Sequence, residues 1–267
     1  MRMNKISLLL QYPTKLYSEK IPPIIEHITK ADVNPREWYN LVLTMRRPTG
    51  DSADFGRIAN AALLQFEVHS KSMRPNEIIR LARKADQLDV NSRRFWSKVY
   101  NEAAANWEDY TFYDKIVLME ILQSRLVDVA REVKGMLEAL HDGSVISGDA
   151  RTKFFRVLAE CNTRFSEEEW NAIEKIVAST PLTPEEGVNY LKLFVSNPQH
   201  KKCAELVKST YKQLDEATRD KMKSSFLAEY LSKMYPDIGI VFSAPESRDV
   251  FSQEIKELEE IKPYVIV

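Results

Sequence analysis

The sequence predicts an all-α chain, an α-solenoid-like array of helix–turn–helix pairs with a period near 36 residues. Three observations predict it: dense helix-capping signals, apolar residues recurring at i, i+3 and i+4, and helix starts at a fixed interval. In Asn34-Pro35-Arg36-Glu37 a cap residue and a first-turn proline precede Trp38, Leu41, Val42 and Met45. Ser166-Glu167-Glu168-Glu169 is a capping box ahead of Trp170, Ile173, Ile176 and Val177. Thr183-Pro184-Glu185-Glu186 is another, ahead of Val188, Leu191 and Phe194. Asn197-Pro198 opens a further helix, and Asp51, Asn91, Thr111, Ser147 and Asp215 serve as caps elsewhere. These oxygens satisfy amide donors that a first helical turn leaves unpaired. The expectation is roughly twelve helices of about 10–20 residues.

Strand-prone residues are confined to the end of the chain. Ile238 to Phe242 reads as an extended connector, the run from about Ser247 to Ile261 as a last helix, and Tyr264-Val265-Ile266-Val267 as an apolar tail that docks on a partner. The expected organisation is an N-terminal arm over 1–18, a helical-repeat domain over 19–235 and the connector, helix and tail over 236–267.

Pro75, Thr111, Ser147 and Thr183 lie 36 residues apart, and second helices are expected near Asn91, Leu126, Ser166 and Pro198. Each first helix carries a small or apolar residue at two matched positions. These are Ala82, Leu118, Phe154 and Tyr190, then Ala85, Ile121, Val157 and Leu193, three residues apart and so on one face. Repeats of this length bury each pair's apolar face against the next.

Composition narrows the function classes. Seven glycines in 267 residues are few, since average usage would give about nineteen. Nucleotide folds need glycine where backbone approaches a ligand. Two cysteines, Cys161 and Cys203, make no disulfide framework and suit a reducing compartment. No segment approaches the roughly 18 apolar residues of a spanning helix, so no transmembrane segment is expected. Residues 1–18 hold Arg2, Lys5 and Lys15 and no acidic residue among apolar ones, the composition of a mitochondrial presequence. The expected location is therefore the matrix side of a mitochondrion, and otherwise the cytoplasm.

Thr111-Phe112-Tyr113-Asp114-Lys115-Ile116-Val117, then Arg125-Leu126-Val127-Asp128-Val129-Ala130-Arg131-Glu132 and Met136, resembles a pentatricopeptide repeat. That resemblance covers one unit, about residues 111–146. The other units are similar to looser, octotricopeptide-like helical-repeat proteins of organelles in length and helix count. The resemblance implies stacked helix pairs and RNA reading by polar residues on the first helices. Asp114 alone occupies a base-reading place, and the other units carry no matching polar residue.

The net charge of −1 conceals polarity: residues 1–100 hold 17 Lys/Arg against 10 Asp/Glu, and residues 101–267 hold 21 against 29. The densest basic stretch, 74–98, contains Arg80, Arg83, Lys84, Arg93, Arg94 and Lys98 among Phe95, Trp96 and Tyr100. These six are the candidate contacts to an acidic protein or to RNA backbone. The alternative is a set of solvated faces paired with Asp86, Asp89 and Glu102.

Catalytic patterns are missing. His27, His69, His141 and His200 fall in different helices, and His200 with Cys203 offers two metal ligands where a site needs three or four. Gly143 reads as a left-handed helix cap, and Trp38, Trp96, Trp107 and Trp170 read as packing anchors. The expectation is no enzyme and no cofactor. The chain is read as a scaffold or accessory subunit whose partners are other subunits of a larger complex, of ATP synthase, ribosome or RNA-processing type. RNA binding through 74–98 is the alternative.

Overall fold

Cap chemistry places most helix starts where the sequence puts them. The structure, a computed structural model, describes residues 21–29, 33–47, 53–140, 146, 148–161, 163–197 and 203–243. Its first helices are α1 (Ile21–Ile28), α2 (Pro35–Thr44), α3 (Ala53–Leu64), α4 (Pro75–Gln87), α5 (Arg93–Ala105), α6 (Phe112–Ser124), α7 (Ala130–Ala139) and α8 (Gly148–Glu160). They are followed by α9 (Glu167–Ser179), α10 (Pro184–Ser196), α11 (Cys203–Gln213), α12 (Glu216–Met222) and α13 (Phe226–Met234). Single turns at Phe66–His69, Ser70–Ser72, Trp107–Asp109 and Pro236–Ile238 link some of them. No strand occurs among the described residues. The arm 1–18, Asp51, Gly143, Ser147, Pro198, the helix expected from Ser247 and the tail Tyr264 to Val267 lie outside the described residues, as do His141 and His200.

Asn34 accepts from the amides of Arg36 and Glu37, Thr111 from Asp114 and Asp215 from Thr218. Ser166 with Glu169, and Thr183 with Glu186, form complete capping boxes. Asn197 has a role beyond the expected one. It closes α10, its side chain accepting from the Phe165 amide at 2.9 Å and donating to the Leu193 carbonyl at 3.2 Å, while residues 198–202, where the next helix is expected to open, lie outside the described residues. The cap expected at Asn91 belongs to Ser92, which accepts from the Phe95 amide.

The helix expected near Leu126 begins at Ala130, because Leu126 stands in the left-handed region at φ 59° and stops α6. Asp89 does the same after α4 at φ 55°. In both turns a residue's amide reaches back five positions, Val90 to Ala85 and Val127 to Leu122 at 3.1 and 3.0 Å. The Asp89 and Leu126 amides reach back three positions, to the Asp86 and Gln123 carbonyls, both at 2.9 Å. This is the Schellman motif. A left-handed Cβ costs roughly 1–2 kcal/mol, less for Asp. The Leu126 side chain is 97% exposed and gains no packing in return. Leu126→Gly therefore stabilises the protein by about 1 kcal/mol, read as a higher urea midpoint.

Contacts divide the chain into two compact units. In the first, α2 packs on α4, α4 on α6 and α6 on α8, so every second helix lies beside the next in a row. With neighbours on two sides, α6 buries Ile116, Val117, Leu118, Met119, Ile121 and Leu122, nearly all round its axis. In the second unit α10 packs against α11 and α13, around Trp170, Tyr190, Leu193 and Phe194. All eight residues at the two matched positions are buried.

Trp38, Trp96 and Trp170 are anchors at 2% exposure or less, whereas Trp107 sits half-buried on a single turn. Trp38 donates to the Ala62 carbonyl and lies 5.1 Å from the ring of His69. His69 is buried with an unpartnered Nε2, and burial holds its pKa below the usual imidazole value. The unfolded chain then binds the proton more readily, so stability falls as pH drops through about 6.5. His69→Gln is expected to flatten the change in urea midpoint between about pH 7.5 and 5.5 relative to the parent.

Candidate interaction surface

A groove of about 340 Å³ runs across α4, α6 and α8, with Arg83, Asp86, Tyr113, Glu120, Asp149 and Lys153 in its walls. Neighbouring helices are tied across it. The Tyr113 hydroxyl donates to Asp149 at 2.9 Å, and Glu120 receives both Arg156 at 2.6 Å and Lys153 at 3.3 Å. Gln123 adds a bond to the Val157 carbonyl.

At the C-terminal ends of the helices a second set of charges does the same work. Arg47 lies 3.3 Å from Asp89, and Arg125 takes Asp86 and Asp89 together. The hydrogen bond from Arg125 holds the Asp89 carboxyl below the usual carboxylate range. Arg125 also stacks over the Trp96 ring at 5.6 Å. Three of these contacts join residues 36 apart: Tyr113 with Asp149, Glu120 with Arg156, and Asp89 with Arg125.

The six basic residues of 74–98 divide between α4 and α5. Arg83 lines the groove, and Arg80, one turn earlier on α4, is exposed. Lys84 is half-buried, and its pKa is lowered by burial and by Arg46 beside it. On α5, Arg93 is exposed and Arg94 grips Glu67 through two bonds of 2.5 and 2.6 Å. Lys98 is paired with Glu102. A uniformly basic groove is thus replaced by one in which Asp86, Glu120 and Asp149 face Arg83 and Lys153. Such a surface suits a partner bearing both signs of charge better than a polyanion.

The carboxylate of Asp114, the one base-reading candidate, accepts from the hydroxyl of the cap residue Thr111 at 2.6 Å. Sequence reading missed Arg47, Arg125, Lys153 and Arg156. Pairing each charge with the residue 36 positions away would have found Asp89 with Arg125 and Glu120 with Arg156. Among the described residues no group of three or more His, Cys, Asp or Glu side chains converges as metal ligands. No described helix is long and apolar enough to cross a membrane.

No protein-family model, curated protein or solved structure matches the chain.

Proposed function

We propose that this chain is a non-enzymatic helical-repeat scaffold, an accessory subunit of a multiprotein complex on the matrix side of the mitochondrion. The observation that carries the reading is register. The same Schellman turn recurs after α4 and α6, and side chains 36 residues apart meet across the row. Stacked pairs of this kind offer an extended face for other chains. The mixed-charge groove is the part of that face best suited to a protein partner, and the acid-free composition of 1–18 supports the location.

The test is the size of the particle that carries the tagged full chain in its native cells. Recovery with other proteins in a particle well above the chain's own 30.9 kDa is expected. Recovery as a lone monomer contradicts the reading. Arg83 is exposed, and Arg83→Glu is expected to release partners with the fold unchanged.

A second reading, binding of single-stranded RNA in the manner of pentatricopeptide proteins, has one observation in its favour. Arg46, Arg80, Arg83 and Lys84 make no ion pair with a described acidic residue. Under this reading RNA binds at low salt, and Arg80→Ala with Arg83→Ala lowers the log–log salt slope by roughly 0.7 per lost phosphate contact. Absence of binding at low salt removes it.

A further inference from the structure

Three cations without a counter-ion stand along the seam where α4 packs against α2. Arg80 and Lys84 are one turn apart on α4 and share a face. Arg46 follows the end of α2 and lies beside Lys84. Tyr39, two turns earlier on α2, lies beside Arg80. Arg46 and Arg80 are exposed and Lys84 is half-buried. None of the three forms an ion pair with a described acidic residue.

The acidic groups nearby are committed elsewhere. Glu77, the acidic neighbour of Tyr39, accepts from the Arg74 amide at 2.8 Å at the start of α4. Asp89 takes Arg47 at 3.3 Å and Arg125 at 2.9 Å. Holding an ammonium half out of water beside a guanidinium is unfavourable, and both burial and Arg46 lower the Lys84 pKa. A bound anion offsets that repulsion. The three groups also select among anions. Two guanidinium forks and an ammonium match the several oxygens of a phosphoryl group better than the two of a carboxylate. A phosphomonoester carries a charge of about −1.5 to −2 at pH 7, and so balances most of the three cations. A nucleic-acid strand fits less well: continuing along the row toward α6 and α8, it meets Glu120 and Asp149.

We infer that Arg46, Arg80 and Lys84, on the seam between α2 and α4, form a binding site for a phosphomonoester dianion. The phosphoryl group belongs either to a phosphorylated side chain of a protein partner or to a free phosphate compound. The inference does not rest on the scaffold reading, because the isolated chain and small compounds test it.

The full chain is titrated at low salt with inorganic phosphate, with N-acetyl-O-phosphoserine methylamide and with the unphosphorylated serine compound, following the Arg46 and Arg80 Nε–H signals by NMR. A saturable shift with a dissociation constant of about 1 mM or tighter is expected for one or both phosphate-bearing probes. Tighter binding of the blocked phosphoserine assigns a partner's side chain; equal or tighter binding of inorganic phosphate assigns a free phosphate compound. Arg46→Gln and Arg80→Gln replace exposed residues, and each is expected to weaken binding by about tenfold. Arg93→Gln, also at an exposed position but on α5, is expected to leave it unchanged. No shift up to about 10 mM, equal binding of the unphosphorylated compound, unchanged affinity in Arg46→Gln and Arg80→Gln, or equal weakening by Arg93→Gln overturns the inference. A single-stranded RNA that binds more tightly than either probe, with a log–log salt slope steeper than about −1.4, assigns the seam to nucleic acid and overturns it as well.

Discussion

Replacing Arg125 by alanine is expected to lower stability by about 2–3 kcal/mol. Its guanidinium uses all five N–H donors. Nε and Nη2 reach Asp86 Oδ1 at 3.0 and 2.6 Å, and Nη2 also reaches the Asp86 carbonyl at 3.0 Å. Nη1 donates to Asp89 at 2.9 Å and to Asn91 at 3.1 Å. The Arg125 side chain is 13% exposed, whereas Asp86 and Asp89 are 38% and 44% exposed. The carboxylates can therefore be rehydrated once the arginine is gone, which keeps the loss below that of a fully buried pair. What water cannot replace is the geometry: Arg125 spans the ends of α4 and α6, covers Trp96 and holds the Schellman turn at Asp89.

Arg125→Lys keeps the charge but not the fork, and is expected to recover less than half of the loss. Urea midpoints followed by circular dichroism measure both. The acid side gives an independent signature. Asp89 is held below its ordinary value of 3.8 chiefly by the Arg125 hydrogen bond. Its contribution is present above that pH and is lost as pH falls through the lower folded value. In Arg125→Ala this part of the acid slope disappears.

In the second unit, Trp170→Ala is expected to cost about 3–5 kcal/mol. Trp170 is 2% exposed and stacks on Phe194 with centroids 5.3 Å apart and planes 16° apart. Phe165 meets its edge at 6.1 Å, and Tyr190 meets Phe194 edge-on at 5.2 Å. Removing the indole leaves a hollow between rigid rings that cannot close on it. Trp170→Phe retains a stacking partner and is expected to cost less than half as much. Loss of near-ultraviolet dichroism with retained helical signal in Trp170→Ala would identify the aromatic packing as the part lost.

The contrast between these sites explains what was legible in the sequence. Caps act within four residues, so Asn34, Thr111, Ser166, Thr183 and Asp215 announce their helices locally. Periodic burial of Ala82, Leu118, Phe154 and Tyr190 was readable because it follows from side-chain type and spacing alone. Left-handed stops were not: Asp89 and Leu126 occupy places where glycine is the usual signal, so the start of α7 was misplaced by several residues. Charge pairing was hidden for another reason. Arg94 finds Glu67 27 residues back, and Tyr100 finds Glu132 32 residues ahead. A basic cluster in sequence is dispersed once two helices turn different faces outward. Trp107 was read as an anchor because aromatic residues favour cores, yet it falls on a single turn beside an open hollow.

The most direct test of the scaffold reading is cross-linking with mass spectrometry on particles carrying the full chain, isolated from native cells with an amine-reactive reagent. The reading predicts links from Lys153 and Lys84, on α8 and α4, to other proteins, lost in the Arg83→Glu variant. Links confined to this chain itself, in a particle of monomer size, would contradict it.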